Sequence, residues 1–359
     1  MAAAVAFGKS THPLPHSDFA VPTSPPPPGV FYPKPCGNPI GTCYAFPNQD
    51  FPYDPLALVA GCTIKCIQDA EVLVFHMPCI DGMLAASMAY WANPRLKLIG
   101  VTHDALHAGA IDKEIEGKRT IFCDICPKPE KLRPRLDLVI DHHPATAEIV
   151  DPPSDGELKR VIFDGKKSGA GLMWWYLTRR HPQAPDTPLF LRAVDSRDRG
   201  LFDVVPLSGA LYTAIGDSTC VGCYMDMLYQ PLRFVAPEVL KAEQERLARV
   251  QQLVPTARAF CIGGRRAWVV CDVHHTLVSE LGRGILTTSP DRQHDVAALL
   301  CYNAELKTTR WSFRSIDGES ARTMALYMKG NGHGDAAGAT TEGEDWEKFT
   351  EGAWVEGDG

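Results

Sequence analysis

The sequence contains no run of about 18 apolar residues, the length that a helix needs to cross a bilayer. It also lacks the basic N-terminal segment of a secretory signal, and its first arginine is Arg95, so an Arg-rich transit peptide is not expected. We therefore expect a cytoplasmic protein with no membrane partner. In that reducing compartment the twelve cysteines are expected to be free thiols, most of them buried.

Two CxxC pairs, Cys123/Cys126 and Cys220/Cys223, leave one alternative open for the cysteines. Four sulfurs at this spacing can hold a structural zinc ion. The two pairs lie far apart in the chain and in different sequence contexts. We therefore favour buried apolar cysteines over a zinc site.

Charge is scarce in the first 60 residues, which carry five charged side chains but 13 of the 29 prolines. This composition, with its run Pro25 to Pro28, predicts an extended or disordered segment with polyproline II character. A passive extension is the favoured interpretation. A ligand for a proline-recognising partner is the alternative.

A length of 359 residues corresponds to two domains of roughly 150 residues and an additional segment. In residues 61–235 short apolar runs alternate with helical patterns, which predicts an α/β domain with a mainly parallel sheet. A charged helix over 236–256 is the predicted linker to a smaller α/β domain at 257–340, and an acidic tail follows over 341–359. The predicted strands are 72–75, 96–101, 120–123, 136–140, 161–163, 259–262, 267–273, 296–302 and 310–315. The predicted helices beside the linker are 82–93, 169–180, 188–194, 275–287 and 320–328.

Four clusters of carboxylates and histidines follow predicted strands or end a predicted helix in the first domain. Because ligands of open parallel sheets bind outside the carboxyl ends of the strands, we expect these side chains to meet at one edge. Each cluster alone is compatible with a helix cap or a surface turn, but four of them share this placement. Their members are His76, Asp81, Asp124, Asp141, His142, His143, Asp195 and Asp198.

Oxygen ligands mixed with imidazole indicate a divalent metal and suit manganese better than magnesium. Several carboxylates able to bridge ions indicate two ions about 3.5–4 Å apart, the arrangement used to hydrolyse phosphoesters. Such ions would supply hydroxide near neutral pH and neutralise the phosphate. We therefore expect two manganese ions, with magnesium as the alternative.

The second domain carries a separate signal for anion binding. Arg310 and Arg314 are an even number of strand positions apart, which places them on one face of a strand. A Gly-rich loop follows, and its residues Gly330 and Gly332 could bring backbone amides close to a phosphate beside His333. A Gly-rich loop alone would be interpreted as a turn, but next to a histidine and an arginine pair it favours an anion site.

Taken together, these motifs resemble those of the DHH phosphoesterase family, in the branch that has a DHH-associated C-terminal domain. The resemblance covers about residues 70–340, and the order of the motifs is more specific than any one of them. The segments that carry it are HMPCIDGMLAA (76–86), TIFCDICPKPE (120–130), the triplet Asp141-His142-His143, AVDSRDRGLF (193–202), RWSFRS (310–315) and GNGHGDAAG (330–338).

The resemblance implies a DHH catalytic domain and a smaller substrate-binding domain. It implies that Asp141 supports the metal site, as a ligand or from behind the ligands, and that His143 stabilises charge at the scissile phosphate. The implied metal ligands are His76, Asp81, Asp124, His142 and one of Asp195 and Asp198. The implied substrate-binding residues are Arg310, Arg314, Ser315, Gly330, Gly332 and His333.

One departure from the family pattern lies in the first motif, where many relatives have an aspartate and this chain has Cys79. We keep Cys79 among the candidate metal ligands, because a thiolate binds manganese poorly but other metals well.

The predicted function is the metal-dependent hydrolysis of a phosphodiester or phosphomonoester in a small nucleotide or short single-stranded oligonucleotide, such as an oligoribonucleotide. Two alternatives stay open: a catalytically degenerate binding module, and a hydrolase of pyrophosphate or polyphosphate. Assembly as a homodimer is also open. The net charge of −7 does not argue against a nucleotide substrate, because the tail over 341–359 accounts for −6 of it.

Overall fold

The computed structural model describes residues 26–33, 66–133, 136–144, 146–147, 161–179, 186–202, 204–216, 218–292, 294–332 and 334–354. Most of the proline-rich segment lies outside these ranges, although Pro26 to Pro28 of its proline run are described. The chain divides into two compact units, Met1–Val239 and Leu240–Gly359.

The first unit is built on a six-stranded sheet in the order β1-β3-β2-β4-β5-β6. The short edge strand β1 is antiparallel to β3, and the other five strands are parallel to one another. This is the mainly parallel α/β sheet that the alternating pattern predicts. The strands are β1 Val30–Phe31, β2 Val72–His76, β3 Lys97–Val101, β4 Thr120–Cys123, β5 Asp137–Asp141 and β6 Val161–Phe163.

The parallel strands are continuous apolar runs because helices cover both faces of the sheet. Successive side chains of β2 alternate between two cores: Leu73 and Phe75 pack on one face, and Val72 and Val74 on the other. The helices of this unit are α1 Ile80–Ala92, α2 His103–Ala108, α3 Asp112–Ile115, α4 Gly169–Thr178, α5 Leu189–Asp198, α6 Ser208–Ile215 and α7 Val221–Tyr229.

The predicted linker helix is present as α8, Pro237–Leu253. The second unit contains a mixed six-stranded sheet in the order β11-β12-β10-β9-β8-β7, in which only β8 and β9 are parallel. Its strands are β7 Arg258–Ile262, β8 Arg265–Val270, β9 Val296–Asn303, β10 Thr308–Arg314, β11 Asn331–Gly332 and β12 Ala336–Glu342.

Two helices, α9 Val278–Thr287 and α10 Ser320–Tyr327, cover opposite faces of the second sheet. Trp311 and Phe313 of β10 pack with Met324 of α10, whereas Leu299 of β9 packs with Leu281 of α9. The predicted second α/β domain is therefore present.

The four cysteines of the two CxxC pairs are not in the same chemical state in the structure. Cys123 is buried in the first core, where its Sγ lies 3.8 Å from the carbonyl oxygen of Gly169. Cys126 and Cys223 are free, whereas Cys220 is disulfide-bonded, contrary to the expectation of free thiols throughout. Because a disulfide sulfur is not a thiolate ligand, the four-sulfur zinc alternative is wrong.

Among the residues that the structure describes, no helix is long and apolar enough to span a membrane.

Candidate metal centre

The carboxyl ends of the parallel strands bring the predicted site residues together. His76 is the last residue of β2, Asp124 directly follows β4, and Asp141 is the last residue of β5. Because β2, β4 and β5 are parallel neighbours, the three side chains emerge at one edge of the sheet.

Three groups of side chains at this edge have ligand atoms within 4.8 Å of one another. Asp124 belongs to two of the groups, and His142 also belongs to two. Such shared members link the groups into one continuous centre. The groups are Asp124 with Asp141, His142 and His143; His76 with Cys79 and Asp124; and Asp81 with His142 and Asp198.

Asp124 lies at the middle of this centre in a left-handed backbone conformation, with φ of 59°. Its Oδ1 is 3.1 Å from Nε2 of His142. Its Oδ2 is buried and accepts no hydrogen bond, and the Nδ1 atom of His76 is 3.6 Å away. Since a buried carboxylate oxygen without a partner is costly, this oxygen fits a bound cation, as does the surrounding set of nitrogen and oxygen donors.

Two glycines allow the backbone to approach Asp124. A Cβ atom on Gly169 would lie 2.6 Å from Cβ of Asp124, and one on Gly82 would lie 2.2 Å from the carbonyl oxygen of His76. Both distances are too short for any larger residue. The helices α1 and α4 can therefore begin directly against the ligand-bearing strand ends.

In the Asp-His-His triplet, Asp141 orients its neighbours. Its Oδ1 accepts the backbone N–H of His142 at 2.9 Å and lies 2.6 Å from Nδ1 of His143. Its Oδ2 accepts the hydroxyl of Thr146. The side chain of His143 keeps 17% of its surface exposed, so it is held in place on one side and accessible on the other.

Asp81 is fixed by the N-terminus of α4. The backbone N–H groups of Gly169 and Ala170 donate to its two oxygens at 2.7 and 2.9 Å, a favourable position for an anion at a helix N-terminus. Ser168 caps the same helix, with its Oγ accepting the N–H of Gly171.

The structure places the two candidate aspartates of α5 in different surroundings. Oδ2 of Asp198 lies 3.5 Å from Nε2 of His142, inside the third ligand group. Asp195 instead accepts the backbone N–H of Ser168 at 2.8 Å and pairs with Arg199 at 2.7 Å. Asp198 is thus the one of the pair that is directed at the centre.

Electrostatics show that the centre carries an excess of negative charge. Burial, together with the charges of Asp124 and Asp198, raises the pKa of Asp81 well above its usual value. Burial opposes the charged form of His142, but its hydrogen bond to Asp124 and the charge of Asp198 raise its pKa to about 10. Without a metal, protons on Asp81 and His142 offset the negative charge of the clustered carboxylates. A bound cation would offset that charge instead.

His103 is a site residue that the sequence reasoning missed. It begins α2 two positions after the end of β3, so it lies near a strand end like the other clusters. Its ring centroid is 4.7 Å from that of His76 and 5.4 Å from that of His143. Burial and the neighbouring His76 and His143 lower its pKa to about 3, so the ring is neutral at physiological pH.

The predicted substrate-binding arginines lie on one face of β10, as expected from their spacing. Arg310 is exposed, whereas Trp311 and Phe313, on the opposite face, are buried. Arg314 is partly buried and packs against Gly282 of α9, where a Cβ atom would lie 2.7 Å from its side chain. Burial lowers the pKa of Arg314 to about 10, and the charge of Asp335 offsets part of that effect.

The remaining predicted substrate-binding residues serve the packing of the second unit. Ser315 donates its hydroxyl to the carbonyl oxygen of Gly334 at 2.9 Å. The N–H of Gly330 donates to Ala325 at 2.7 Å, and a Cβ atom on Gly330 would lie 2.0 Å from the oxygen of Gly338.

The Gly-rich segment therefore approaches the protein's own strand β12. Gly332 pairs with Ala337 of that strand, and the amide of Gly330 is already used as a donor within the fold. His333 lies outside the described residues.

Comparisons with known proteins give no matching family model and no matching curated protein. Solved structures give matches at low identity. The chain is similar to RecJ of Thermus thermophilus in complex with Mn²⁺, at 16% identity and a TM-score of 0.43, over 82% of this chain and 52% of that one. It is also similar to PggH of Vibrio cholerae, a pGpG-specific phosphodiesterase, at 15% identity and a TM-score of 0.40, over 77% of this chain and 95% of that one.

A third likeness is to CDC45 of Entamoeba histolytica, at 11% identity and a TM-score of 0.39, over 77% of this chain and 93% of that one. Of these three chains, RecJ is much longer, and this chain spans about half of its length.

Proposed function

We propose that this protein is a metal-dependent phosphoesterase. The observation that carries the proposal is the linked set of three ligand groups, which share Asp124 and His142 around a buried carboxylate oxygen without a partner. Two divalent ions would fit such a set better than one, because the eight residues of the three groups outnumber the six positions of one octahedral ion. We propose manganese, with magnesium as the alternative, for the groups that offer only oxygen and imidazole donors; the group that contains Cys79 is treated separately below.

Six residues of the three groups would hold the ions. When bound, divalent ions lower the pKa of water and neutralise phosphate charge. Two residues of the chain would act beside the ions. Oδ1 of Asp141 holds the ring of His143 in place. The accessible side of that ring can donate a hydrogen bond to a phosphate oxygen. The proposed ligands are His76, Cys79, Asp81, Asp124, His142 and Asp198, with Asp141 supporting them.

We propose a small nucleotide or a short single-stranded oligonucleotide as the substrate. The support comes from the motif resemblance and from the partly buried Arg314, whose guanidinium donates to two neutral acceptors, the carbonyl oxygen of Phe313 and the hydroxyl of Ser279. An anionic substrate would compensate this charge.

Hydrolysis assays with purified protein test the activity. We expect turnover of a chromogenic phosphodiester with Mn²⁺ and none with a chelator. Linear dinucleotides, cyclic dinucleotides, nucleotide bisphosphates, pyrophosphate and polyphosphate then compare substrate classes. A preference for pyrophosphate or polyphosphate would replace the nucleotide assignment while keeping the phosphoesterase.

The matched variants for this assay are Asp124→Asn and Asp112→Asn. Asp124 is the shared ligand, and its loss is expected to lower turnover by at least roughly 100-fold, since even residues behind metal ligands contribute 10–100-fold. Asp112 is an exposed carboxylate that pairs with Lys131 in the same unit, and its replacement should leave turnover unchanged. Metal binding without turnover of any substrate would overturn the proposal in favour of a binding module.

A further inference from the structure

A thiol lies among the nitrogen and oxygen ligands of the proposed centre. Sγ of Cys79 groups with a ring nitrogen of His76 and a carboxylate oxygen of Asp124, all within 4.8 Å of one another. The same group contains the buried Asp124 side chain whose Oδ2 accepts no hydrogen bond. These are two independent features that direct donors to one position.

Packing does not explain the place of the Cys79 thiol. The residue is absent from the hydrophobic clusters of the described residues, whereas the buried Cys123 belongs to the main one. Cys79 is the N-cap residue of α1, and its side chain makes no capping hydrogen bond of standard geometry, although the backbone N–H of Gly82 interacts with the thiol. A cysteine that packs in no core and lies beside His76 and Asp124 is available as a ligand.

We propose that Cys79 is a metal ligand that shifts this centre away from magnesium and toward borderline ions such as Zn²⁺, Fe²⁺ or Co²⁺. The proposal rests on the proposed function only in taking the cluster as a metal centre. Magnesium prefers oxygen donors, whereas a thiolate selects softer ions. One sulfur, one imidazole and one carboxylate form a donor set that suits zinc and iron better than magnesium.

Ligation by Cys79 requires the loss of its thiol proton, because the thiolate is the form that binds metals. The Sγ–H bond breaks, the proton passes to solvent, and the sulfur lone pair forms the bond to the ion. No oxidant or reductant is needed for this step. Metal binding at this position therefore releases one proton from Cys79.

Cobalt titration of the metal-free protein tests the proposal directly. A thiolate bound to Co²⁺ gives a charge-transfer absorption in the near ultraviolet, which nitrogen and oxygen ligands alone do not give. The full-length protein is stripped with a chelator and kept under inert gas without a reductant, since thiol reductants would bind the metal themselves and a phosphine would open the disulfide of Cys220. We expect the band in the native protein and its loss in Cys79→Ser.

The matched control is Cys66→Ser. Cys66 is also a partly buried free thiol beside a carboxylate, 3.5 Å from Oδ2 of Asp69, but it lies in none of the ligand groups. The variant should keep the full cobalt band. A band of equal intensity in Cys79→Ser and native protein would overturn the proposal.

A second variant, Cys79→Asp, tests the selectivity. Replacing sulfur by oxygen should lower the ratio of Zn²⁺ to Mg²⁺ affinity by at least about tenfold, measured by competition in the same titration. An unchanged ratio would contradict the assignment. Thermal unfolding of each metal-free variant, followed by circular dichroism, checks that the fold is retained.

The outcomes separate this inference from the proposed function. If native protein binds Co²⁺ without the thiolate band but hydrolyses phosphoesters, the role of Cys79 is wrong and the phosphoesterase stands. If the band appears without hydrolysis of any substrate, Cys79 is a ligand in a centre that is not a phosphoesterase. If no metal binds, both fail.

Discussion

At the residue scale, the two aspartates of α5 differ in partners although they are three positions apart on one helix. The sequence left Asp195 and Asp198 as equal candidates, because Arg199 and Gly200, which follow the second aspartate, depart from the motif of the family that the chain resembles. Only the folded chain shows that Asp195 is occupied by the N–H of Ser168 and by Arg199, while Asp198 faces His142. The choice depends on contacts with α4, which a local sequence pattern does not contain.

This difference predicts that Asp198→Asn mainly lowers the affinity for Mn²⁺ and that Asp195→Asn mainly lowers stability. We expect Asp198→Asn to weaken Mn²⁺ binding by at least roughly tenfold, because it removes a charged ligand. Asp195→Asn keeps an oxygen for Ser168 and should change the affinity less than Asp198→Asn does, while destabilising the start of α4 by about 1 kcal/mol. Isothermal titration with Mn²⁺ and urea unfolding measure the two effects. A larger loss of affinity in the Asp195 variant would reverse the assignment.

His103 shows why one ligand-like residue escaped the sequence reasoning. It lies two positions after a strand, whereas Asp124 directly follows one, and it matches none of the family motifs. The ring of His103 lies against the rings of His76 from β2 and His143 from the loop after β5. These are separated in sequence, and only the order of the strands brings them together.

We predict that His103 acts by packing against the rings of His76 and His143. Its low pKa means that the ring carries no charge at neutral pH, so His103→Phe should keep Mn²⁺ affinity close to that of native protein. His103→Ala leaves the two rings without support and should weaken binding by about tenfold. Equal losses in both variants would show instead that a nitrogen of His103 is needed. Mn²⁺ titration followed by electron paramagnetic resonance makes this comparison.

At the scale of elements, the sequence predicted the strands of the first unit best. The bounds Thr120–Cys123 and Val161–Phe163 agree with the predicted runs residue for residue. These strands are short apolar runs bounded by charged or polar residues, so the pattern marks both ends. The edge strand Val30–Phe31 was missed because two residues after a proline run carry no periodic signal.

The helices α2, α3, α6 and α7 were also missed, and their lengths explain why. They have six, four, eight and nine residues, so each contains at most about two and a half turns in which a hydrophobic period could appear. Their positions are determined by packing on the sheet and on α1 instead. The site was nevertheless predictable in large part, because its residues follow the strands that were identified.

The close start of α4 against β4 predicts a strong effect of one methyl group. Gly169→Ala would place Cβ 2.6 Å from Cβ of Asp124, so we expect a displaced carboxylate, weakened Mn²⁺ binding and a loss of about 1–3 kcal/mol in stability. The matched control is Gly165→Ala, whose Cβ would lie 3.6 Å from Phe163, an ordinary contact distance. Urea unfolding with and without Mn²⁺ compares them. Similar behaviour of the two variants would contradict the role of Gly169.

At the scale of the whole molecule, the prediction is that the first unit carries out catalysis and the second binds the substrate. Sequence patterns determine this prediction less well than any other. Spacing alone placed Arg310 and Arg314 on one face of a strand, and the burial of β10 agrees with this. The Gly-rich segment was interpreted as an amide nest, yet the N–H of Gly330 serves Ala325. The difference arises because glycine also serves close contact between backbones, and a sequence does not show which backbone approaches.

The exposed Arg310 offers a test of that division. If the second unit binds the part of a nucleotide that lies away from the scissile bond, Arg310→Ala should raise KM for a linear dinucleotide by about 10–100-fold, the worth of a charged hydrogen bond. A small chromogenic phosphodiester has no such distant part, so its kcat/KM should stay within about twofold. The control is Arg258→Ala, an exposed arginine on the edge strand β7 of the same sheet, for which neither substrate should be affected. Equal losses on the large and the small substrate after Arg310→Ala would mean that Arg310 supports the fold or the chemical step, and that the substrate is held by residues of the first unit.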